Sequence, residues 1–226
     1  MGRPVRALLV DALGTLVRLE PPAPRLRSEL SRLGLEIDAA RAEHAFRAEI
    51  AFYLDHHTEG RDASSLAELR NRCAAVLHDA LAVPELSLVA AREAMLAAIR
   101  FEPYPDAAPA LHELRELGLR IVVASNWDVS LAEVLERTGL APALDGVVTS
   151  AAAGARKPDA RLFEAALRVA RCDPGEAVHV GDSVANDVEG ARAAGLRAVL
   201  VDRDGDGGGP AGVPVITELR ELAAVI

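Results

Sequence analysis

The alternation of strand-like and helical segments from Tyr104 onward is the feature that most constrains the fold. Apolar runs at residues 120–124, 146–149, 177–180 and 197–201 predict buried strands, and amphipathic stretches at 107–117, 130–137, 160–171 and 185–194 predict helices between them. Such alternation is typical of a mainly parallel sheet covered by helices on both faces. An earlier apolar run, residues 5–10, adds a first strand. We therefore predict an α/β fold with a Rossmann-like parallel-sheet core.

The segment from about residue 21 to residue 100 has a different character. Ala, Leu, Arg and Glu recur at helical spacing through residues 25–33, 39–57, 64–81 and 87–100, with Pro and Gly between them. This all-helical segment interrupts the alternation directly after the first strand, so we expect it to be an insertion. We predict an α/β core domain of residues 1–16 and 103–226 and a helical cap domain of residues 17–102.

Charge and hydropathy exclude several classes of function. The net charge of −9 disfavours binding to nucleic acid or to an anionic membrane, because phosphate-rich surfaces are bound by clustered Lys and Arg. No apolar run approaches the roughly 18 residues that span a bilayer, and the first residues lack the layout of a signal peptide. We expect a cytoplasmic protein with a small-molecule partner. The sequence leaves open whether it is a monomer or a homodimer.

Four residues with useful chemistry follow the predicted strands or open the helices after them. Asp11 follows the first strand, Ser125 ends another, Asp182 follows a third, and Lys157 precedes a helix. Ligands of such sheets bind at the carboxyl ends of the strands. Lys157 is the only lysine among 25 basic residues, which indicates a chemical role that arginine cannot fill. We therefore predict a site at this edge of the sheet.

Four short motifs occur in order across essentially the whole chain. They are VDALGTL with Asp11, VVASNWD with Ser125, RKPDARLF with Lys157, and HVGDSVANDVEGARAAG with Asp182 and Asp187. In these motifs the chain resembles the haloacid dehalogenase superfamily. The fourth motif is the most specific, whereas the first alone is a weak signal.

The resemblance implies a mechanism and a set of site residues. Asp11 would be a covalent nucleophile that forms an aspartyl phosphate, because a carboxylate can attack once the charge of the acceptor is neutralised. The implied catalytic residues are Asp11, Lys157 and Ser125. The implied substrate-binding residues are Thr15, Ser125, Asn126 and Lys157. The implied ligands of a Mg²⁺ cofactor are Asp11, the Leu13 carbonyl, Asp182 and Asp187.

The chain departs from the family pattern at Leu13. Phosphatases of the superfamily usually carry a second Asp there, which protonates the leaving oxygen, and such acid–base help is worth about 10²- to 10⁴-fold in rate. We therefore predict a phosphatase of small phosphorylated molecules with weakened acid–base catalysis.

Two alternatives stay open. The first is a metal-independent L-2-haloacid dehalogenase, which needs no acid at that position. Arg47 and Tyr53 in the helical segment favour it, whereas the retained Asp182 and Phe163 in the lysine motif do not. The second alternative is a pseudoenzyme that binds phosphate without turnover.

Overall fold

The computed structural model describes residues 4–205 and 207–226. The chain divides into two compact units. One contains the chain up to Arg18 together with Pro103–Ile226, and the other is Leu19–Glu102. Among the described residues, no helix combines the length and the apolar character needed to cross a membrane.

Strands and helices alternate in the first unit, and helices fill the second. The strands in chain order are β1 (Ala7–Val10), β2 (Val17–Leu19), β3 (Phe101–Pro103), β4 (Arg120–Ser125), β5 (Gly146–Thr149), β6 (Ala177–Gly181), β7 (Arg197–Val201) and β8 (Val215–Ile216). The α-helices are α1 (Pro22–Arg32), α2 (Ala39–His56), α3 (Ala63–Leu81), α4 (Leu88–Ala98), α5 (Ala107–Glu116), α6 (Leu131–Arg137), α7 (Ser150–Ala153), α8 (Ala160–Ala170), α9 (Gly190–Ala193) and α10 (Leu222–Val225).

Within the described residues, six strands form one sheet in the order β5-β4-β1-β6-β7-β8. Neighbouring strands are parallel, and Val10 at the end of β1 pairs with Val123 of β4 and Val180 of β6. The predicted Rossmann-like parallel-sheet fold is confirmed. Strand order reverses around β1, and ligands of open α/β sheets bind at the carboxyl ends of the strands near such a reversal.

The sheet is buried because its strands are apolar on both faces. All four residues of β1 are fully buried, as expected for a central parallel strand covered on both sides. On one face, Leu9 and Ala124 pack in a cluster with Phe163 and Ala166, which belong to the apolar side of α8. The strand tips are therefore held on a rigid support.

The helical unit contains α1–α4, and side chains cap three of these helices. Asp38 accepts a hydrogen bond from the Arg41 amide at the start of α2, and Asp62 forms a capping box with Ser65 at the start of α3. Ser87 caps α4 in the same way. The apolar sides of the helices enclose one hydrophobic cluster. The short strands β2 and β3, which pair with each other, lie where the chain passes between the units.

One ionisable side chain lies within the buried side of this helical bundle. Glu49 of α2 is 4% exposed and follows the core residues Ala45 and Phe46 at helical spacing. Its carboxyl group contacts the buried Cys73 of α3. Burial raises the pKa of Glu49 from 4.5 to about 7, and the hydrogen bond with Cys73 opposes this only in part.

We expect Glu49→Gln to stabilise the protein above pH 7. Between the unfolded and folded pKa values of 4.5 and about 7, the native state holds a proton that the unfolded state has released, so wild-type stability falls as pH rises. Glutamine removes this penalty, which is on the order of 3 kcal/mol. Urea unfolding followed by circular dichroism should show this gain at pH 8 and less than about 1 kcal/mol at pH 5.

Glu43→Gln is the matched control, because Glu43 is exposed on the same helix. It should change the free energy of unfolding by less than about 0.5 kcal/mol at either pH. An equal gain at pH 5 and pH 8 for Glu49→Gln would contradict the prediction.

Candidate active site

The turn after β1 presents the first charged side chain. Asp11 directly follows the strand, and its amide donates to the Val180 carbonyl at 2.9 Å, which fixes Asp11 beside the end of β6. The Ala12 carbonyl then accepts hydrogen bonds from the amides of Leu16 at 2.8 Å and Val17 at 2.9 Å. This closed turn holds the Asp11 carboxyl at the strand tip, where the Ser125 hydroxyl donates a hydrogen bond to it.

Two N–H groups of the same turn are left without a carbonyl acceptor in the described residues. Among the described residues, the N–H groups of Ala12 and Leu13 donate to no backbone carbonyl. Gly14 allows this turn because its φ of 80° lies in the left-handed region. Free amides beside a carboxylate can donate to an anion that approaches it.

Lys157 connects the charged groups of the site. It is 3% exposed, and its Nζ lies 2.5 Å from Oδ1 of Asp11 and 2.5 Å from Oδ1 of Asp187. Its backbone is held on both sides by Asn126, whose Oδ1 accepts from the Lys157 amide at 2.7 Å and whose Nδ2 donates to the Lys157 carbonyl at 3.2 Å. The ammonium is therefore fixed between two carboxylates.

Asp187 is fixed by contacts on both of its oxygens. His179 Nε2 lies 2.8 Å from Oδ1, and the Ser183 amide donates to Oδ2 at 3.0 Å. The other ring nitrogen, the buried Nδ1, has no hydrogen-bond partner among the residues that the structure describes. Gly181 is required here, since a Cβ at that position would lie 2.2 Å from Cγ of Asp187.

The buried charges shift one another's pKa values. Burial raises the pKa of Asp11, and the negative charge of Asp187 adds to this, although Lys157 opposes both. Burial alone would lower the pKa of Lys157, but the two carboxylates outweigh it and raise that pKa. Burial likewise opposes ionisation of Asp187, but Lys157 and the hydrogen bond from His179 hold its pKa well below the usual range. Lys157 and Asp187 therefore both stay charged at neutral pH.

Asp182 adds a third carboxylate to the cluster. The residue as a whole is exposed, yet protein atoms crowd its carboxyl group, and this desolvation raises its pKa from 3.8 to about 6, with further increases from Asp11 and Asp187. A Cβ at Gly14 would lie only 2.1 Å from Oδ2 of Asp182. Only glycine at position 14 leaves room for this carboxylate.

This cluster of acids fits a divalent cation. Asp11, Asp182 and Asp187 each offer an oxygen, and these atoms lie within 4.8 Å of one another. Opposite ligands of octahedral Mg²⁺ are roughly 4 Å apart, because each Mg–O bond is about 2.1 Å. The all-oxygen donor set and the repulsion that raises the pKa of Asp182 both favour a hard cation.

Comparison with known proteins decides the family. The family model described as haloacid dehalogenase-like hydrolase matches residues 5–195. The chain belongs to this family. Human haloacid dehalogenase-like hydrolase domain-containing protein 3 is 33% identical over 206 residues, which cover 87% of this chain and 82% of the human protein. The family predicted from the four motifs is thus confirmed.

Other family members carry more specific names. Phosphoserine phosphatase of Thermus thermophilus is 44% identical over 105 residues, but these cover only 46% of this chain and 42% of that enzyme. The solved haloacid dehalogenase-like (HAD) phosphatase of Thermococcus onnurineus has a TM-score of 0.66 and 28% identity, covering 98% of this chain and 97% of that one. The 2-haloacid dehalogenase of Pseudomonas syringae pv. Tomato DC3000, at 24% identity, a TM-score of 0.70 and coverage of 98% and 97%, shares the fold.

In this hydrolase of the haloacid dehalogenase-like family, the remaining predicted residues occupy distinct environments. Thr15 is fully buried, and within the described part of the chain its hydroxyl has no hydrogen-bond partner. The amide group of Asn126 is used by the Lys157 backbone, so its contacts favour a positioning role over direct contact with substrate. Leu13, two residues after Asp11, is 42% exposed, and its side chain has no ionisable proton.

Sequence reasoning missed three residues that shape this site. His179 lies in the apolar strand β6, and a single polar residue in a buried run was its only signal. Gly14 and Gly181 were seen only as parts of motifs, although each leaves space for a carboxylate. Steric space of this kind depends on the approach of other segments, which the local sequence does not encode.

Proposed function

We propose that this hydrolase is a Mg²⁺-dependent phosphatase of small phosphate monoesters. The observation that carries the proposal is the buried Lys157 ammonium fixed between Asp11 and Asp187, with Asp182 beside them. A site with one ammonium and three carboxylates is suited to a dianionic substrate only if a divalent cation adds positive charge.

In the proposed reaction, an oxygen of Asp11 attacks phosphorus and the bond to the leaving oxygen breaks, which gives an aspartyl phosphate and an oxyanion. This oxyanion takes its proton from solvent to become the alcohol. Water then cleaves this acyl phosphate and releases inorganic phosphate. Lys157 offsets the negative charge of the transferred group, and the Ser125 hydroxyl and the free amides of Ala12 and Leu13 are further donors. Asp187 holds the ammonium in place.

Asp11, the Leu13 carbonyl and Asp182 would hold Mg²⁺, and Asp187 would complete the acidic cluster. When bound, the ion supplies charge neutralisation and orients the phosphoryl group. We further propose that the helical unit Leu19–Glu102 is a cap that selects the leaving group. The phosphatases among the relatives support phosphorylated small molecules as the substrate class.

Haloacid dehalogenation is the second candidate, and Leu13 is the observation that favours it. A halide leaves without a proton, so this chemistry needs no acid at that position. The carboxylate of Asp182 weighs against it, because a metal-independent reaction gains nothing from a second acid that repels Asp11.

Parallel assays separate the candidates. Phosphate release from a panel of monoesters that requires Mg²⁺ and is lost in Asp11→Asn supports the proposal. Halide release from 2-haloacids without Mg²⁺ would establish the alternative. Neither product, together with Mg²⁺-dependent binding of inorganic phosphate, would identify a binding protein without turnover.

Leu13 leads to a prediction about leaving groups. Without a proton donor beside the leaving oxygen, aryl and acyl phosphates should react much faster than alkyl phosphates, because their leaving groups depart as stable anions. Leu13→Asp should raise alkyl-phosphate turnover by roughly tenfold or more, since a well-placed acid is worth about 10²- to 10⁴-fold. Steady-state kcat for one aryl and one alkyl phosphate in both proteins measures this effect.

Leu13→Asn is the matched control, because asparagine resembles aspartate in shape and polarity but cannot donate a carboxylic proton. It should leave the ratio of aryl to alkyl turnover unchanged. A wild-type enzyme with equal turnover of both substrates and no gain in Leu13→Asp would show that another group supplies the proton.

A further inference from the structure

The guanidinium of Arg203, shortly after β7, binds the turn that carries the nucleophile. Its side chain is 14% exposed. Nη2 donates to the Thr15 carbonyl at 2.6 Å, and Nη1 donates to Oδ2 of Asp106 at 2.7 Å. The guanidinium carbon also lies 4.1 Å from the centre of the Tyr104 ring. All four residues belong to the α/β unit.

The turn after Asp11 depends on these contacts to satisfy its carbonyls. Thr15 is fully buried, so its carbonyl needs a donor from the protein, and Arg203 provides one. The next carbonyl, that of Leu16, accepts from the Tyr104 amide at 2.9 Å. Two stacked residues distant in sequence therefore hold consecutive carbonyls of the nucleophile turn.

Asp106 in turn holds the guanidinium of Arg203 in place. It occupies the residue before α5 but makes no capping hydrogen bond with that helix. Its Oδ2 instead accepts from Arg203 and, at 2.6 Å, from the Leu219 amide. Burial opposes ionisation, yet the hydrogen bonds from Arg203 and Leu219 lower the pKa of Asp106, so it stays charged at neutral pH. A charged pair with these fixed partners makes a rigid clamp.

We infer that Arg203 is a positioning residue for the nucleophile, acting through the Thr15 carbonyl. This inference rests on the proposed phosphatase function. Asp11 and the free amides of Ala12 and Leu13 lie within four residues of Thr15 on a tight turn. A shift of about 1 Å in such a constellation can lower the rate about 10²-fold. The nitrogens Nη1 and Nη2 of Arg203 already donate to Asp106 and to the Thr15 carbonyl, so we expect its effect to fall on kcat.

The test compares Arg203→Lys with the wild-type enzyme. Lysine keeps the charge for Asp106 but has no planar fork to bind Asp106 and the Thr15 carbonyl together or to stack on Tyr104. We expect kcat for an aryl phosphate at saturating Mg²⁺ to fall about 10- to 100-fold, with KM changed by less than about twofold.

Arg115→Lys is the matched control. Arg115 also pairs with an aspartate, Asp145, at 3.1 Å and donates to a carbonyl, that of Ala143, at 3.2 Å, but both of these partners lie outside the four motifs. This variant should keep the wild-type kcat.

Hydrogen exchange of the peptide that covers residues 12–17 gives a readout that does not depend on activity. The amides of Leu16 and Val17 should exchange faster in Arg203→Lys and at the wild-type rate in Arg115→Lys. If Arg203→Lys does not fold, Tyr104→Leu can replace it, because this variant removes the stacked ring but leaves the ion pair. It should show both the lower kcat and the faster exchange. Tyr104→Phe should show neither.

The outcomes separate the inference from the proposed function. Faster exchange together with a lower kcat supports the clamp. Unchanged kcat in an active, folded variant overturns it, whether or not exchange changes. A wild-type enzyme without phosphatase activity would contradict the proposed function. Hydrogen exchange then tests only whether Arg203 holds the turn, and an unchanged exchange rate in Arg203→Lys would contradict that as well.

Discussion

Lys157→Arg should lower kcat about 10²- to 10³-fold, the usual loss when a donor to the transition state is misplaced. The positive charge survives, but the 3% exposed site holds one compact ammonium 2.5 Å from each of two carboxylates. A planar guanidinium is larger and directs its donors in a fixed fork. It therefore has to displace Asp11 or Asp187. Steady-state kinetics with an aryl phosphate, with folding checked by thermal unfolding, measures the loss.

Two further variants test why Lys157→Arg should lose activity. Arg156→Lys exchanges the same two residue types at the exposed neighbouring position and should keep full activity. Lys157→Met removes the charge and should also cost about 3 to 5 kcal/mol in the free energy of unfolding, because it leaves two buried carboxylates without their cation. Activity of Lys157→Arg within threefold of wild type would show that the ammonium has no special role.

Gly14→Ala should weaken Mg²⁺ binding about 10- to 100-fold, as expected when a residue that orients a metal ligand is changed. The new Cβ would lie 2.1 Å from Oδ2 of Asp182 and 2.6 Å from its Cγ, so the carboxylate must move away. The φ of 80° adds backbone strain for any residue with a side chain. Isothermal titration calorimetry with Mg²⁺ measures the change in affinity.

Gly118→Ala separates the strain from the steric effect. Gly118 has a nearly identical φ of 83°, but among the described residues no heavy atom outside Gly118 and its two chain neighbours lies within 4 Å of the position of its Cβ. Both variants should lose stability through the strained backbone, whereas only Gly14→Ala should lose Mg²⁺ affinity. Equal affinities in the two variants would mean that Asp182 is not a ligand.

The parts of the fold that follow local patterns could be predicted from the sequence. The apolar runs that became β1, β4, β5, β6 and β7 were long enough to be recognised, whereas β8 has two residues and β2 and β3 have three each. The helix predicted for residues 185–194 begins instead as a π-helix, Val184–Glu189. There the Ser183 carbonyl accepts from the amides of both Asp187 and Val188, a pattern that side-chain periodicity does not reveal.

The candidate site likewise contains residues that could be predicted from the sequence and residues that could not. The motifs indicated Asp11, Lys157 and Asp182 because residue type and position at strand tips carry the signal. The roles of Asn126 and Arg203 could not be predicted, since their partners lie 31 and 188 residues away along the chain. These contacts exist only after the sheet has brought distant loops together. The space that Gly14 leaves for Asp182 has the same origin.

The central position of β1 has a consequence for the order of folding. Its two neighbours, β4 and β6, are synthesised more than a hundred residues later, and the contact between Asp11 and Lys157 spans 146 residues. The helices of residues 22–98 belong to one continuous unit of the chain, so they can form on the ribosome before β4 and β6 have been made. Asp11 therefore gains its contact with Lys157 only after 146 further residues have been synthesised, so the acidic cluster is assembled after the residues of the helical unit have been made.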